Sequence, residues 1–348
     1  MFSHVLLAAA LLFHAGQQPF SFQAQQLTAQ LAVKSSTIRG VIWYPVDASL
    51  PERRQTIGTP GHPLFIAGSV ALDAPIARAP KRFGLILLSH GTGGTARQLA
   101  WLGTALARAG FIAVAIDHPG NNGAGDPTVQ GFTLWWLRAR ELSMALDTIV
   151  ANRTFGPHVD LTRIGAAGFS LGGYTVLALA GGRVDAPSGI DRCKSDPQAT
   201  SCQSPPEFPG LVPKMLALRA SDPSYANAVA NSNVNVADPR VRAAYAIAPA
   251  AGEFVTLDSL RNIAIPVRIA YGTNDTVVPP PQNALRYANW IPSATTFPIV
   301  NAGHYTFLDA CTAAASRILP ALCVDGPDAN RDAIHAAVAA DAVDFFSR

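Results

Sequence analysis

A serine between two glycines is the feature of this sequence most suggestive of chemistry. The string GFSLG at residues 168–172 fits the pattern G-x-S-x-G, in which a sharp strand-to-helix turn projects the serine hydroxyl clear of the sheet. Glycine is required on either side because a β-carbon there would collide across the tight turn. The residues before the motif favour a strand and those after it an apolar helix. We therefore predict that Ser170 is a nucleophile; the alternative is an ordinary glycine-rich turn.

A serine hydroxyl is a poor nucleophile until a base takes its proton. In chains with this motif the acid and then the histidine follow the serine, and only His304 and His335 lie downstream of Ser170. His304 stands in a loop, NAGH, after a strand-like segment, whereas His335 falls in an Ala-rich helical pattern. We predict that His304 is the base and that His335 is structural.

The third member must be a carboxylate that orients the imidazole and stabilises its charged form. Asp275 follows the strand-like segment VRIAY in the loop GTND, and open parallel sheets build their sites at the carboxyl ends of strands. The rival carboxylate, Asp258, fits better as the cap of a short helix. We predict that Asp275 is the acid; an Asx turn is the alternative for it.

A glycine-rich loop, SHGTGGT at residues 89–95, follows the first buried strand. It resembles the HGGG-type loop whose N–H groups bind an oxyanion, and it lacks the Lys-Ser/Thr ending of a phosphate-binding P-loop. We assign the oxyanion donors to the main-chain N–H groups of Thr92 and Leu171. His90 precedes Ser170, so its order is wrong for the base, and we expect it to brace the loop.

Aromatic residues near the same sheet edge are candidates for the substrate pocket. Trp135 and Trp136 begin a helical segment, and with His90 they form the predicted pocket set. Core packing is the alternative for both tryptophans.

The elements that must position these residues alternate between strand and helix. Alternation of this kind implies parallel strands, because each crossover needs a covering helix. We predict an α/β fold with a mostly parallel central sheet covered by helices on both faces. Residues 46–80 are expected to hold loops and short strands, and residues 182–240 form an insert after the nucleophile helix, either a cap over Ser170 or a peripheral loop. The predicted strands are 37–45, 83–89, 111–117, 163–169, 241–248, 266–271 and 296–300, and the predicted helices are 96–109, 132–151, 171–180, 214–230, 281–290 and 328–346.

Composition excludes several classes of protein. Apolar residues make up 49% of the 348 residues and charged residues 14%, which excludes a largely disordered chain. The net charge is +3 and the basic residues are scattered, whereas nucleic-acid surfaces need clustered cations. We therefore expect no nucleic-acid partner and a single domain over residues 25–348.

The N-terminus carries an apolar run, VLLAAALLF at residues 5–13, that is too short to span a bilayer. Its length fits the apolar region of a secretory signal. We predict a signal peptide over residues 1–24 and no stable membrane anchor; a buried N-terminal helix is the alternative.

Four cysteines form two local pairs, an arrangement that suits an oxidising compartment. We favour Cys193–Cys202 and Cys311–Cys323 among the three pairings, because each closes a short loop. No C-x-x-C or H-x-x-x-H spacing accompanies them, so we expect no metal site. The sequence predicts a secreted or periplasmic protein.

Five motifs, in this order, resemble those of α/β-hydrolases: LLSHGTGGT, AIDHPGNNG, GFSLGGYT, YGTNDTVVP and NAGHYTFLDAC. The set is similar to the bacterial group called predicted dienelactone hydrolases and, more distantly, to platelet-activating-factor acetylhydrolases. The resemblance runs over residues 37–311 and implies the same roles for the five residues assigned above. True dienelactone hydrolases use a cysteine nucleophile, whereas Ser170 occupies the motif here, which favours ordinary ester hydrolysis.

The resemblance implies a serine carboxylesterase that needs no cofactor and acts on short acyl esters. Cutinase-like polyester hydrolases share the architecture and are also exported, so a polymeric ester or a lactone is the alternative substrate. A catalytically inactive hydrolase-fold binding protein is the alternative from another class. Amidases and thioesterases use the same triad, whereas halide and epoxide hydrolases place an aspartate at the position of Ser170.

Overall fold

An 11-stranded sheet runs through the part of the chain that this computed structural model describes, residues 13–24, 37–79 and 81–348. The strands are β1 (His14–Gln23), β2 (Thr37–Val46), β3 (Arg53–Thr59), β4 (His62–Leu72), β5 (Phe83–Ser89), β6 (Phe111–Ile116), β7 (Val159–Phe169), β8 (Val241–Ile247), β9 (Val267–Gly272), β10 (Ala294–Ile299) and β11 (Ala310–Cys311). Their order is β10-β9-β8-β7-β5-β6-β2-β1-β4-β11, with β3 paired to β4.

The helices lie between these strands and on both faces of the sheet. They are α1 (Ala100–Arg108), α2 (Val129–Thr133), α3 (Leu137–Ala151), α4 (Leu171–Leu179), α5 (Ala186–Ser195), α6 (Leu211–Ser221), α7 (Pro223–Ala230), α8 (Leu257–Arg261), α9 (Ala284–Trp290), α10 (Ala313–Ile318), α11 (Pro320–Cys323) and α12 (Arg331–Ser347). Single turns of 3₁₀ helix occur at Gly156–His158, Thr200–Cys202, Gly252–Phe254, Pro280–Gln282 and His304–Phe307.

The centre of the sheet is parallel and fully buried. Strands β5 and β6 are apolar almost throughout and every residue in them is buried, as expected for strands covered on both faces. The pairs from β6 through β10 are all parallel, whereas β2 runs antiparallel to β6. One apolar cluster packs α3, α4 and α9 on one face, and a second packs α1 and α12 on the other. The predicted fold class is confirmed.

Two predicted helices are divided in the structure. The predicted helix 214–230 consists of α6 and α7, because Pro223 cannot continue a helix and the Asp222 side chain accepts the N–H groups of Ser224 and Tyr225 as a new N-cap. The predicted helix 132–151 is divided between α2 and α3.

The predicted leader overlaps a strand of the sheet. The apolar run at 5–13 lies outside the described residues except for Phe13, but His14–Gln23 forms β1. This strand pairs antiparallel with β2 from His14↔Val46 to Gln23↔Thr37, and it pairs with β4 at Gly16. Cleavage after residue 24 would therefore remove a hydrogen-bonded strand, so the predicted boundary conflicts with the sheet.

Both favoured disulfides are present, Cys193–Cys202 and Cys311–Cys323. The first ties α5 to the turn that follows it, and the second ties β11 to α11. Within the described ranges, no helix is long and apolar enough to cross a membrane.

Candidate active site

Ser170 stands at the turn between β7 and α4, with φ 56° and ψ −118°. The neighbouring glycines are required by close backbone contacts. A β-carbon on Gly168 would lie 2.2 Å from the carbonyl oxygen of Gly172, and one on Gly172 would lie 2.0 Å from the carbonyl oxygen of Ser89. The turn is therefore packed directly on the end of β5, as the G-x-S-x-G pattern predicts.

The structure brings three of the predicted residues together across long sequence separations. Ser170 Oγ lies 3.0 Å from His304 Nε2, and His304 Nδ1 lies 2.7 Å from Asp275 Oδ2. All three side chains are buried, with Ser170 7% exposed. These distances form one hydrogen-bond path from hydroxyl through imidazole to carboxylate, the arrangement that lets an imidazole accept the hydroxyl proton.

The carboxylate of Asp275 is fixed by the loop in which it lies. Its Oδ1 atom accepts the N–H groups of Val277, at 3.0 Å, and Val278, at 2.7 Å. The other oxygen is thereby left to face the His304 imidazole. Asp275 thus makes the local Asx-type turn that was its alternative reading while also holding the imidazole.

Asp258 and His335, the alternatives for the acid and the base, lie outside this hydrogen-bond path. Asp258 is an exposed carboxylate paired with Arg183 at 3.1 Å, and the cap of α8 is Thr256 rather than Asp258, contrary to the sequence prediction. His335 is buried, with Nε2 2.9 Å from the carbonyl oxygen of Thr306 and its ring stacked on Trp101.

The glycine-rich loop lies beside the serine, since a β-carbon on Gly91 would approach Ser170 Cβ to 3.3 Å. Side chains take up two of its N–H groups: Gly91 donates to Gln98 Oε1 at 2.7 Å and Gly93 to Asn121 Oδ1 at 2.8 Å. The N–H of Thr92, between them, meets no acceptor among the described residues. Thr92 is therefore a donor, next to Gly91, that this loop leaves free for a ligand.

The second predicted donor, the N–H of Leu171, is the first in helix α4. First-turn N–H groups have no partner within their own helix, and the helix dipole favours negative charge at this end. An oxygen bound next to Ser170 would therefore meet a favourable electrostatic environment.

The predicted pocket residues do not share one role. Trp136 is 3% exposed and packs in the core, so it presents no surface to a ligand, and His90 is 2% exposed. Trp135 is half-buried, packs edge-on against Phe254, and donates from Nε1 to the carbonyl oxygen of Phe132 at 2.7 Å. For the two tryptophans, packing accounts for the contacts.

One residue of the insert lies against the glycine-rich loop and its neighbour packs on α2; neither was singled out from sequence. A β-carbon on Gly93 would lie 2.8 Å from Glu207 Cγ, so Glu207 lies against the glycine-rich loop. Its neighbour Phe208 packs edge-on against Phe132 at 5.2 Å. The PPEFP string is the only local signal for this contact, and it specifies a turn rather than a partner.

The described residues contain no group of three or more His, Cys, Asp or Glu side chains placed to hold a metal ion. The chemistry that the arrangement supports on its own is nucleophilic attack by Ser170 with proton transfer to His304.

Fold and site together define a hydrolase of the α/β class. Residues 85–317 match the model of the Alpha/beta hydrolase family, which is more than half of the chain. The chain belongs to that family.

Curated relatives include cutinases. Cutinase est1 of Thermobifida alba is 34% identical over 141 residues, which make up 40% of this chain and 42% of that protein. Cutinase cut1 of Thermobifida fusca is 29% identical over 197 residues, 53% of this chain and 56% of that protein. The chain thus spans about half the length of these relatives.

A solved structure shares the fold over nearly the whole chain. It is a ferulic acid esterase from Streptomyces cinnamoneus, which matches with a TM-score of 0.61 over 98% of this chain and 91% of that chain. The sequence identity is 18%, so this likeness concerns the fold.

Proposed function

We propose that this chain is a carboxylic ester hydrolase in which Ser170, His304 and Asp275 act as a catalytic triad. The observation that carries the proposal is the hydrogen-bond path from Ser170 Oγ to His304 at 3.0 Å and from His304 to Asp275 at 2.7 Å. The positive φ of Ser170 and the similarity to proteins named cutinases add support.

The reaction begins when Ser170 Oγ attacks the ester carbonyl carbon and His304 Nε2 takes the hydroxyl proton. The carbonyl oxygen becomes an oxyanion that accepts the N–H groups of Thr92 and Leu171. The intermediate collapses, the alcohol leaves with the proton from His304, and Ser170 remains acylated. Water then attacks the acyl carbon while His304 Nε2 takes its proton. The second intermediate collapses, the bond to Ser170 Oγ breaks, His304 returns the proton to Ser170 Oγ, and the carboxylic acid is released. Asp275 holds the imidazole and stabilises its cationic form throughout.

Short acyl esters are the proposed substrates, as the resemblance to acetylhydrolases suggests. The insert supports this choice, because Glu207 and Phe208 lie against the glycine-rich loop and against Phe132. We propose that this part of the insert caps the site and limits the space above Ser170. A polyester is the second candidate, and the similarity to cutinases favours it; a lactone is the third.

The direct test measures hydrolysis of p-nitrophenyl esters of increasing acyl length and of a polyester film. We expect highest turnover on the shortest esters, and a loss of about 10⁴-fold or more in Ser170→Ala. Ser224→Ala, which alters an exposed serine of α7, is the matched control and should retain wild-type turnover. Unchanged turnover in Ser170→Ala would refute the mechanism. Faster hydrolysis of the polyester film than of the short p-nitrophenyl esters would favour a polyester as the substrate.

Covalent labelling distinguishes an enzyme from an inactive binding protein with the same fold. A fluorophosphonate reacts with an activated serine, so we expect one label per chain, on Ser170. Absence of label on the folded wild-type protein would favour the binding protein.

We further propose that the protein is exported. The two disulfides support this proposal, since disulfides persist in oxidising compartments.

A further inference from the structure

A buried polar cluster joins the first two residues of the glycine-rich loop to the end of β6 and to α3, outside the proposed triad. It consists of Ser89 and His90 at the end of β5, His118 after β6, and Arg138 and Glu141 on α3. All five residues are at most 5% exposed. Buried charged groups are costly unless they are paired, so the contacts within this cluster need an explanation.

Arg138 connects helix α3 to the start of the loop. Its Nη2 group donates to the carbonyl oxygen of His90 and lies 3.4 Å from Ser89 Oγ. The electrostatic interaction with Glu141, one helical turn further on, compensates part of the cost of burying the guanidinium. The carbonyl of His90 is therefore held by a charged donor, which makes a stronger bond than a neutral one.

His118 connects the same strand end to Glu141. Its Nε2 atom lies 2.9 Å from Ser89 Oγ, and its Nδ1 atom lies 2.6 Å from Glu141 Oε2. Either placement of the proton between imidazole and carboxyl group keeps this bond, because one partner donates in each case. Ser89 is thus held from two sides, by His118 and by Arg138.

The imidazole of His90 is locked in one tautomer. The main-chain N–H of His118 donates to His90 Nε2 at 3.2 Å, so the ring proton lies on Nδ1 and is donated to the carbonyl oxygen of Gly91 at 2.7 Å. Burial holds the pKa of His90 well below its usual range, and the ring is neutral at physiological pH. Two successive carbonyls ahead of Thr92, those of His90 and Gly91, are therefore fixed by this cluster.

We propose that Arg138, together with His118 and Glu141, acts as a positioning residue that aims the Thr92 N–H at the oxyanion. This inference rests on the proposed function. A peptide plane turns as a unit, so fixing the His90 and Gly91 carbonyls fixes the planes that lead into Thr92. None of the three side chains touches the substrate in this proposal; they act through the main chain of the loop.

A contribution to stability explains the burial of Arg138 less well than a role in positioning the loop. Its Nε and Nη1 groups have no hydrogen-bond partner among the described residues, so the guanidinium is buried with part of its donors unused. Buried ion pairs are often replaced by apolar residues at no loss of stability. The donor that is used points to the loop carbonyl, which favours a role in the geometry of the loop.

The test compares Arg138→Met, Arg138→Lys and Ser89→Ala with the matched control Arg268→Met. Arg268 is an equally charged residue, paired with Asp341 between β9 and α12 and outside this cluster. Active sites are first titrated with a fluorophosphonate; kcat and KM for p-nitrophenyl acetate, and Ki for a trifluoromethyl ketone, are then measured per titrated site. The ketone forms a tetrahedral oxyanion on the serine and so reports on the donors.

We expect Arg138→Met to lose about 30- to 100-fold in kcat per site, a part of what removal of an oxyanion donor costs. Its KM should stay within about threefold of wild type, and Ki for the ketone should rise by the same factor as kcat falls. Arg138→Lys keeps a charged donor and should recover part of the loss, and Arg268→Met should match wild type per site.

One result would overturn the proposal. If Arg138→Met reduces only the number of titrated sites and its kcat per site stays within twofold of wild type, the role of Arg138 is purely structural. If Arg138→Met does not fold, Ser89→Ala is the deciding variant, because it removes only a hydroxyl group. A fall in kcat matched by a rise in Ki would support the proposal, and unchanged values would refute it.

Ser170→Ala distinguishes failure of the proposed function from failure of the positioning role. If it remains active the proposed function fails, and the positioning role with it; if it is inactive while Arg138→Met retains kcat, only the positioning role fails.

Discussion

Ser170 has a backbone conformation that residues other than glycine rarely adopt. A residue held in such a region costs on the order of 1–3 kcal/mol, so the surrounding structure must hold it in place. The N–H of Ser170 donates to the carbonyl oxygen of Ile247 at 2.9 Å, and its own carbonyl oxygen accepts the N–H of Ala250 at 3.0 Å. The end of β8 therefore clamps the turn on both sides, and the hydroxyl is fixed towards His304.

Gly172, two residues after Ser170, has no room for a side chain. In Gly172→Ala the new methyl group would lie 2.0 Å from the carbonyl oxygen of Ser89 and 2.7 Å from that of His90. Both are main-chain atoms, so α4 or the glycine-rich loop must shift. We expect a destabilisation of about 1–3 kcal/mol, as for other overpacked sites, and at least about a tenfold fall in kcat, because the Thr92 donor moves with the loop.

Gly326→Ala is the matched control for this variant. Gly326 is exposed, and a β-carbon there meets no atom of the described residues within 4 Å. This variant should therefore leave the free energy of unfolding and kcat unchanged. Urea unfolding gives the stabilities and p-nitrophenyl acetate hydrolysis gives kcat. A Gly172→Ala protein as stable and as active as wild type would contradict the packing described here.

A short sequence pattern predicts the role of a residue when the contacts of that residue lie close to it in the chain. The contacts of Gly168 and Gly172 fall within one turn and the end of one neighbouring strand, so G-x-S-x-G encodes them fully. The core position of Trp136 depends on elements far away in sequence, and nothing in its own segment separates a core tryptophan from one in a pocket. For the same reason the sequence reveals the loop containing His90 but not the buried polar cluster that joins it to β6 and α3.

At the scale of elements, α12 and α1 together support the turn that carries His304. His335 on α12 stacks on Trp101 of α1, with 4.3 Å between ring centroids, and its Nε2 lies 2.9 Å from the carbonyl oxygen of Thr306. Trp101 donates from Nε1 to the carbonyl oxygen of Phe307 at 3.1 Å. Two helices of one face therefore hold the 3₁₀ turn by its main chain.

This contact predicts a dependence of stability on pH. Burial lowers the pKa of His335 to about 4, against about 6.5 in the unfolded chain. Between these values the unfolded chain binds a proton that the folded chain does not, so the free energy of unfolding falls as pH decreases from 6.5 to 4. The expected loss is about 3 kcal/mol, at 1.36 kcal/mol per pKa unit.

His335→Gln keeps a donor for Thr306 but does not titrate, so the variant isolates this contribution. Urea unfolding with the disulfides intact should show that the stability difference between wild type and His335→Gln shrinks by about 3 kcal/mol from pH 7.5 to pH 4. His62→Gln, at an exposed position on β4, should show no such change. A difference that stays constant over this range would rule out the buried neutral histidine.

Helices and strands could be predicted where one sequence pattern dominates, and less well where a helical composition is interrupted by a helix-ending residue. The buried strands β5 and β6 can be recognised in the sequence because their residues are apolar almost throughout. The segment that forms α6 and α7 has helical composition throughout, and only Asp222-Pro223 marks its division. The contact of Glu207 with the glycine-rich loop spans more than a hundred residues, and no local pattern encodes it.

At the scale of the whole molecule, β1 joins two parts of the sheet. It lies between β2 and β4 in the strand order, and among the described strands β3 and β11 pair with β4 alone. Sequence reasoning missed this strand because Pro19 argues against a central strand, while the adjoining apolar run fits a leader. The strand tolerates Pro19 because β4 pairs with β1 at Gly16 and Gln17, and beyond them this side of the strand has no partner strand within the described ranges.

Truncation tests where the leader ends and the domain begins. A chain that begins at residue 25 lacks β1 and leaves β2 with an open edge, which promotes association of chains; it also loses the buried Ala15 and Gln17 from the sheet. We expect that chain to unfold or aggregate, whereas a chain that begins at residue 13 retains wild-type stability and ester hydrolysis. Because any processing that preserves the fold must then occur before His14, mass spectrometry of exported protein should find an N-terminus at or before residue 14. Wild-type thermal stability and activity in the chain that begins at residue 25 would show that β1 is dispensable and restore the leader boundary at residue 24.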